Sequence, residues 1–115
     1  MTYKRGDIVL VYFPYTDFSK VDKRPALIIQ ADSLVTDFPN FVVAQITSKL
    51  TRATRPQRIT VLKDDPMYTH TNLRTDSIIV TDMIMTLNTS LIDKKIGEIT
   101  DMTPIDTALR LTLGL

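Results

Sequence analysis

Residues 6–14 read Gly6-Asp7-Ile8-Val9-Leu10-Val11-Tyr12-Phe13-Pro14, and their reading decides the fold class. The apolar, β-branched run is too short for a helix and is stopped by a proline, the pattern of a strand buried over most of its surface. Working outward, Tyr15 to Lys23 has only Phe18 and Val21 as apolar residues and is expected to be an exposed, mobile loop. Pro25 removes a donor and keeps Arg24 out of helical geometry, so a second strand is expected from there to about Gln30. After the turn at Pro39-Asn40, a third strand is predicted over Phe41 to Thr47, a fourth over Gln57 to Leu62 and a fifth over Ser77 to Thr81. Lys63 to Asp76 reads as a long surface loop, and Lys94 to Thr100 as a further short strand. Thr103-Pro104-Ile105-Asp106 is a helix start with Thr103 as N-cap and proline in the first turn, with Ile105, Ala108, Leu109 and Leu113 facing the sheet. The expected class is mainly β with a C-terminal α-helix (α+β): a small curled antiparallel sheet with a helix at one end.

The chain has 115 residues, 43% of them hydrophobic, which suits one domain over residues 1–115 with a single core. The net charge is +1, but residues 1–58 carry nine Lys or Arg against five Asp, and residues 59–115 carry five against eight acids. An anion site is therefore expected in the first half. With no cysteine, disulfides and thiolate metal sites are excluded. No apolar run approaches the ~20 residues of a membrane span, and the charged Met1-Thr2-Tyr3-Lys4-Arg5 start lacks a signal core. A cytoplasmic soluble protein is expected.

Two segments put phosphate-binding side chains at the tip of an apolar strand: Lys23-Arg24-Pro25-Ala26-Leu27-Ile28-Ile29 and Gln45-Ile46-Thr47-Ser48-Lys49. A guanidinium fork with two neighbouring hydroxyls can clamp one phosphodiester group without a metal. On the residues alone, Arg24 reads more readily as a surface arginine covering the sheet edge with its stem than as a site residue. Lys49, Arg52, Arg55 and Arg58, with no acid among them, form a local electrostatic funnel for nucleic-acid phosphate, though each taken singly is a solvated loop cation. His70 is the only histidine, which excludes a ribonuclease working through two. Asp64-Asp65 has no further ligands at metal spacing, so two-metal nuclease chemistry is not expected.

Taken in order from Gly6-Asp7 through Arg24-Pro25-Ala26 and Thr47-Ser48 to Ser77, Asp82 and the terminal Leu113-Gly114-Leu115, the chain resembles the MazF/PemK family of toxin endoribonucleases. The resemblance implies an SH3-like antiparallel β-barrel and a homodimer. It further implies metal-independent, sequence-specific cleavage of single-stranded RNA with no cofactor, and neutralisation by an antitoxin with an acidic flexible tail. Arg24 falls on the catalytic arginine of the family motif and Thr47 on the catalytic threonine, with Ser48 as a supporting donor. Asp82 falls on the acidic position after the fifth strand, where it would orient a 2'-hydroxyl or an arginine. Family members commonly continue Asp-Gln-Ile-Arg-Thr, whereas this chain reads Asp82-Met83-Ile84-Met85-Thr86, losing the Gln and the Arg; some relatives also carry an Arg where Val80 stands.

The implied reaction is attack of a ribose 2'-hydroxyl on its neighbouring phosphate, leaving a 2',3'-cyclic phosphate. Base choice is expected from the loops on either side, with Lys49, Arg52, Arg55 and Arg58 drawing in the strand and Tyr15 and Phe18 stacking on unpaired bases. Two rivals stand beside this reading: a CcdB-like toxin that poisons gyrase by contact alone, and an idle SH3-like module that binds RNA or protein.

Overall fold

The computed structural model describes residues 3–14 and 21–115. Six strands, β1 (Asp7–Pro14), β2 (Val21–Ile28), β3 (Asn40–Thr47), β4 (Arg58–Val61), β5 (Ser77–Asn88) and β6 (Ile92–Glu98), precede one helix, α1 (Thr103–Leu113). They form a single antiparallel sheet in the order β4-β5-β3-β2-β1-β6. The central strands are apolar on both faces because both are covered. One face packs Ile8, Leu27, Ile46, Ile79 and Val61 with Ile105 of the helix, and the other packs Val9, Val11, Ala26, Ile28 and Val43 with Leu87 and Ile92.

The expected α+β class is what the chain adopts, but the barrel is not closed by strand pairing. Among the described residues the end strands β4 and β6 do not bond each other; the connection from β4 to β5 lies along β6 instead. Glu98 N–H donates to the His70 carbonyl at 2.9 Å, and Asn72 Nδ2 donates to the Ile96 carbonyl at 2.7 Å. Gly97 permits this approach, since a Cβ there would run into the backbone of Thr71 and His70. The connection expected as a surface loop thus has a buried side, occupied by Tyr68 and Thr71, and contains a 3₁₀ turn at Pro66–Tyr68 capped by Asp65. A sheet edge covered in this way is withheld from edge-to-edge pairing.

Other boundaries differ for identifiable reasons. β2 begins at Val21 rather than Pro25, because the ladder with β1 runs on to the pair Pro14↔Val21 although Asp22 and Lys23 are polar. β5 does not end at Thr81. The partner of Ala44 is Ile84 while that of Gln45 is Val80, so Thr81, Asp82 and Met83 bulge out of the β3 ladder and the strand resumes to Asn88. Buried Thr81 is satisfied there by the Gln57 carbonyl at 2.5 Å and the Thr112 hydroxyl at 3.0 Å. β6 spans Ile92–Glu98, shifted about one turn of the pleat toward the N-terminus from the expected strand.

The helix is capped from one residue earlier than expected. Met102 holds the N-cap position without a side-chain bond, and Asp101 accepts the Thr103 N–H at 3.0 Å. That bond holds the Asp101 carboxyl below its usual range. Gly114, at φ 71°, closes the C-terminus by donating to the Arg110 carbonyl. Ile105 and Ala108 are buried and Leu109 packs on the core, but Leu113 is 56% exposed. Seven residues on from Ile105, the inner face falls on Thr112, which bonds Thr81, and Leu113 is turned about 100° away. At the other end Arg5 ties the helix to the sheet, pairing with Asp106 at 2.6 Å and bonding the Ile29 carbonyl at 2.9 Å. Among the described residues no helix is long and apolar enough to cross a membrane.

Candidate active site

The site arises where two strands part. β2 and β3 pair through Ile28↔Val43, Leu27↔Ala44 and Ala26↔Gln45, and there their ladder stops at Pro25, which has no N–H to give. Continuing the same register sets Arg24 opposite Thr47. Because β2 stays bonded to β1 as far as Val21, its end is held firmly while a cleft of about 550 Å³ opens beside it. Arg24, Thr47 and Ser48 line this cleft together with Lys23, Arg74 and Lys94.

Thr47 is buried at the cleft edge, and its Oγ1 accepts the Lys49 N–H at 3.2 Å. That bond fixes the oxygen and leaves its proton to be donated. Ser48 is exposed. The Arg24 side chain is 38% exposed, with Nη2 3.9 Å from Asp22. Beside it Lys23 pairs with Asp93 at 3.2 Å and lies 5.3 Å above the Tyr12 ring, while the Tyr12 hydroxyl also donates to Asp93 at 3.2 Å. The hydrogen bond to Asp93, with the carboxylate's charge behind it, raises the Lys23 pKa above that of an ordinary lysine.

The basic segment is placed differently from the expected funnel. Lys49, Arg52 and Arg55 are exposed around a 3₁₀ turn at Leu50–Thr54 and do not line the cleft. Arg58 is spent within the fold: its Nη2 and Nε bond the two Asp82 oxygens at 2.9 and 3.2 Å, and its Nη1 donates to the Arg52 carbonyl. Asp82 therefore orients an arginine, outside the cleft. The Arg58 hydrogen bonds hold the Asp82 carboxyl below its usual range, helped by Gln57, and the Arg58 pKa rises correspondingly. Met83 is 47% exposed, and Met85 packs beside Val43. His70 is exposed and bonds through its backbone. Tyr15 and Phe18 lie outside the described residues. Among the described residues no group of three or more His, Asp or Glu side chains is gathered to hold a metal ion.

Lys23, Arg74 and Lys94 line the cleft in addition to the expected residues, and nothing local in the sequence marks Arg74 or Lys94 for it. Lys23 adjoins Arg24 and is the one that adjacency signals. Arg74 sits in the connection read as solvent-facing and Lys94 in the net acidic half, so only the fold brings them to the cleft.

A curled antiparallel sheet with one terminal helix and a cationic cleft between splayed strands defines the class: a small β protein equipped to receive an anion. The match of residues 4–113 to the model of the PemK-like, MazF-like toxin of type II toxin-antitoxin systems is more particular, and the chain belongs to that family. Among solved structures it is similar to an endoribonuclease from Mycobacterial species in complex with its cognate antitoxin, with 25% identity and a TM-score of 0.75 over 99% of this chain and 97% of that one. The fold is also shared with Mycobacterium tuberculosis toxin MazF-mt6, at 17% identity, TM-score 0.73 and coverage of 95% and 97%. It is shared as well with a MazE-MazF structure from Deinococcus radiodurans, at 14% identity, TM-score 0.76 and coverage of 100% and 99%.

Proposed function

We propose that this toxin is a metal-independent endoribonuclease acting on single-stranded RNA in the cytoplasm, with Arg24 and Thr47 as its catalytic residues. The observation that carries this reading is the placement of a guanidinium and a hydroxyl from separate strands on one cleft. RNA supplies its own nucleophile. The ribose 2'-oxygen bonds to the adjacent phosphorus as the bond to the 5'-oxygen breaks, giving a 2',3'-cyclic phosphate and a 5'-hydroxyl. The 2'-hydroxyl proton passes to solvent, and the leaving oxygen takes up a proton in turn.

The protein's task is to hold the strand for in-line attack and to neutralise charge gathering on the phosphorane oxygens. Arg24 supplies the fixed positive charge and donates toward the leaving oxygen; Thr47 and Ser48 donate to non-bridging oxygens. A guanidinium with a free pKa above about 12 is a poor base, so Arg24 is not the group that removes the 2'-proton. Lys49, Arg52 and Arg55, exposed beside the site, draw in the strand from a distance.

The working assembly is a homodimer, and the partner is an antitoxin whose acidic flexible tail lies along the cationic cleft and blocks it. The antitoxin complex of the Mycobacterial relative supports that pairing. Incubating the protein with single-stranded RNA in EDTA, and mapping products by gel and by cyclic-phosphate chemistry, tests the proposal. Cleavage that disappears in Arg24→Ala and Thr47→Ala supports it, and a wild type that leaves RNA intact at low salt favours a gyrase poison or an idle module.

A further inference from the structure

Four cations line the cleft, and they are not equivalent. Lys23 has Asp93 at 3.2 Å and Arg24 has Asp22 at 3.9 Å. Arg74 and Lys94 have neither a hydrogen bond nor an ion pair from their side chains among the described residues, and both are exposed at the cleft. A cation already facing a carboxylate must loosen that contact to serve a ligand; an uncommitted one need not.

The backbones beneath these two side chains are fixed. Lys94 lies in β6, opposite Leu10 of β1. Arg74 follows Asn72, whose φ of 55° and bond to the Ile96 carbonyl pin the connection to β6, and Leu73, which packs on the core. On its other side Asp76 accepts the Lys63 N–H at 2.8 Å. Two different elements thus present uncommitted positive charge to the cleft that holds Arg24 and Thr47, and 550 Å³ is the size of a pocket for a whole small ligand rather than for one phosphate.

We infer that Arg74 and Lys94 form a second anion subsite, gripping a phosphate that flanks the scissile one so that the RNA strand is held at two points. This rests on the ribonuclease reading above. The flanking phosphate does not react, so its grip is the same in ground and transition states. Losing it raises KM and leaves kcat nearly unchanged, whereas losing Arg24 lowers kcat.

The test uses an RNA oligonucleotide that the wild type cuts, made uncleavable by a 2'-O-methyl group at the scissile ribose and followed by fluorescence anisotropy. A companion set carries an uncharged methylphosphonate at one flanking position at a time. Arg74→Ala and Lys94→Ala together should weaken binding about tenfold. They should also flatten the slope of log affinity against log salt by about 0.7, the share of one single-strand phosphate. With one of the methylphosphonate probes, wild type and double variant should bind alike. Arg74→Lys with Lys94→Arg, which keeps both charges, should restore most of the affinity. Unchanged binding by the double variant, or a penalty that persists with every methylphosphonate probe, overturns the inference. A wild type that neither cuts nor binds any single-stranded RNA overturns the ribonuclease reading itself, and the subsite with it.

Discussion

Arg24 and Thr47 stand opposite each other two residues beyond the last rung of the β2–β3 ladder, in the register fixed by Ala26↔Gln45. Side chains directly opposite on neighbouring strands share a face. Here the rung is left unbonded, so the space that a closed sheet would fill between them is open to a ligand. The proposed chemistry depends on that placement, and neighbouring features of the fold make it testable from several sides.

The Arg58–Asp82 pair predicts a pH-dependent contribution to stability. Because the folded Asp82 carboxyl titrates below its unfolded value, the contribution is fully present above the ordinary carboxylate pKa of about 3.9 and is lost as pH falls through the depressed folded value. Asp82→Asn should cost roughly 0.5–1 kcal/mol near neutral pH, the scale of a partly exposed pair. Urea titrations of both proteins should show this gap constant down to about pH 5 and closing below about pH 4. A gap that widens on acidification contradicts the assignment.

Gly97→Ala probes the loop that seals the sheet. Its methyl group would be driven into the backbone of Thr71 and His70, which cannot rotate away. A loss of about 2–3 kcal/mol is expected, in the range of overpacked sites. The same shift would displace the connection carrying Arg74, so RNA binding should weaken along with thermal stability.

Thr81 and Thr112 make another comparison. Thr81→Val removes bonds to both the Gln57 carbonyl and Thr112, whereas Thr112→Val removes only the latter. Chemical denaturation should rank Thr81→Val as the more damaging, at about 1–3 kcal/mol, because it leaves a carbonyl unsatisfied beside a buried position. Equal costs would place the main interaction between the two hydroxyls.

Much of the architecture was legible in the chain. Ile8 to Val11 and Phe41 to Ala44 are apolar because their strands are covered on both faces, and the unbroken apolar runs report that directly. The sequence misled where tertiary pairing overrides local polarity. Asp22 and Lys23 look like loop yet extend β2 because β1 continues opposite them, and Thr81-Asp82 looks like a strand end because the bulge interrupts the apolar pattern. Leu113 looks like a core residue, but helical geometry gives its place to Thr112. Arg24, Thr47 and Ser48 were visible as polar groups at strand tips next to a proline. Arg74 and Lys94 were not, since nothing local records that a connection and a distant edge strand meet at one cleft.

The most direct measurement is single-turnover cleavage of a single-stranded RNA in EDTA by wild type, Arg24→Ala and Thr47→Ala, with folding of each checked by circular dichroism. Wild type should release a 2',3'-cyclic phosphate. Each folded variant should be slower by about 10²–10³, the scale for removing a donor aimed at developing negative charge. Folded variants that cut at the wild-type rate would contradict the claim that the Arg24–Thr47 rung is where the chemistry occurs.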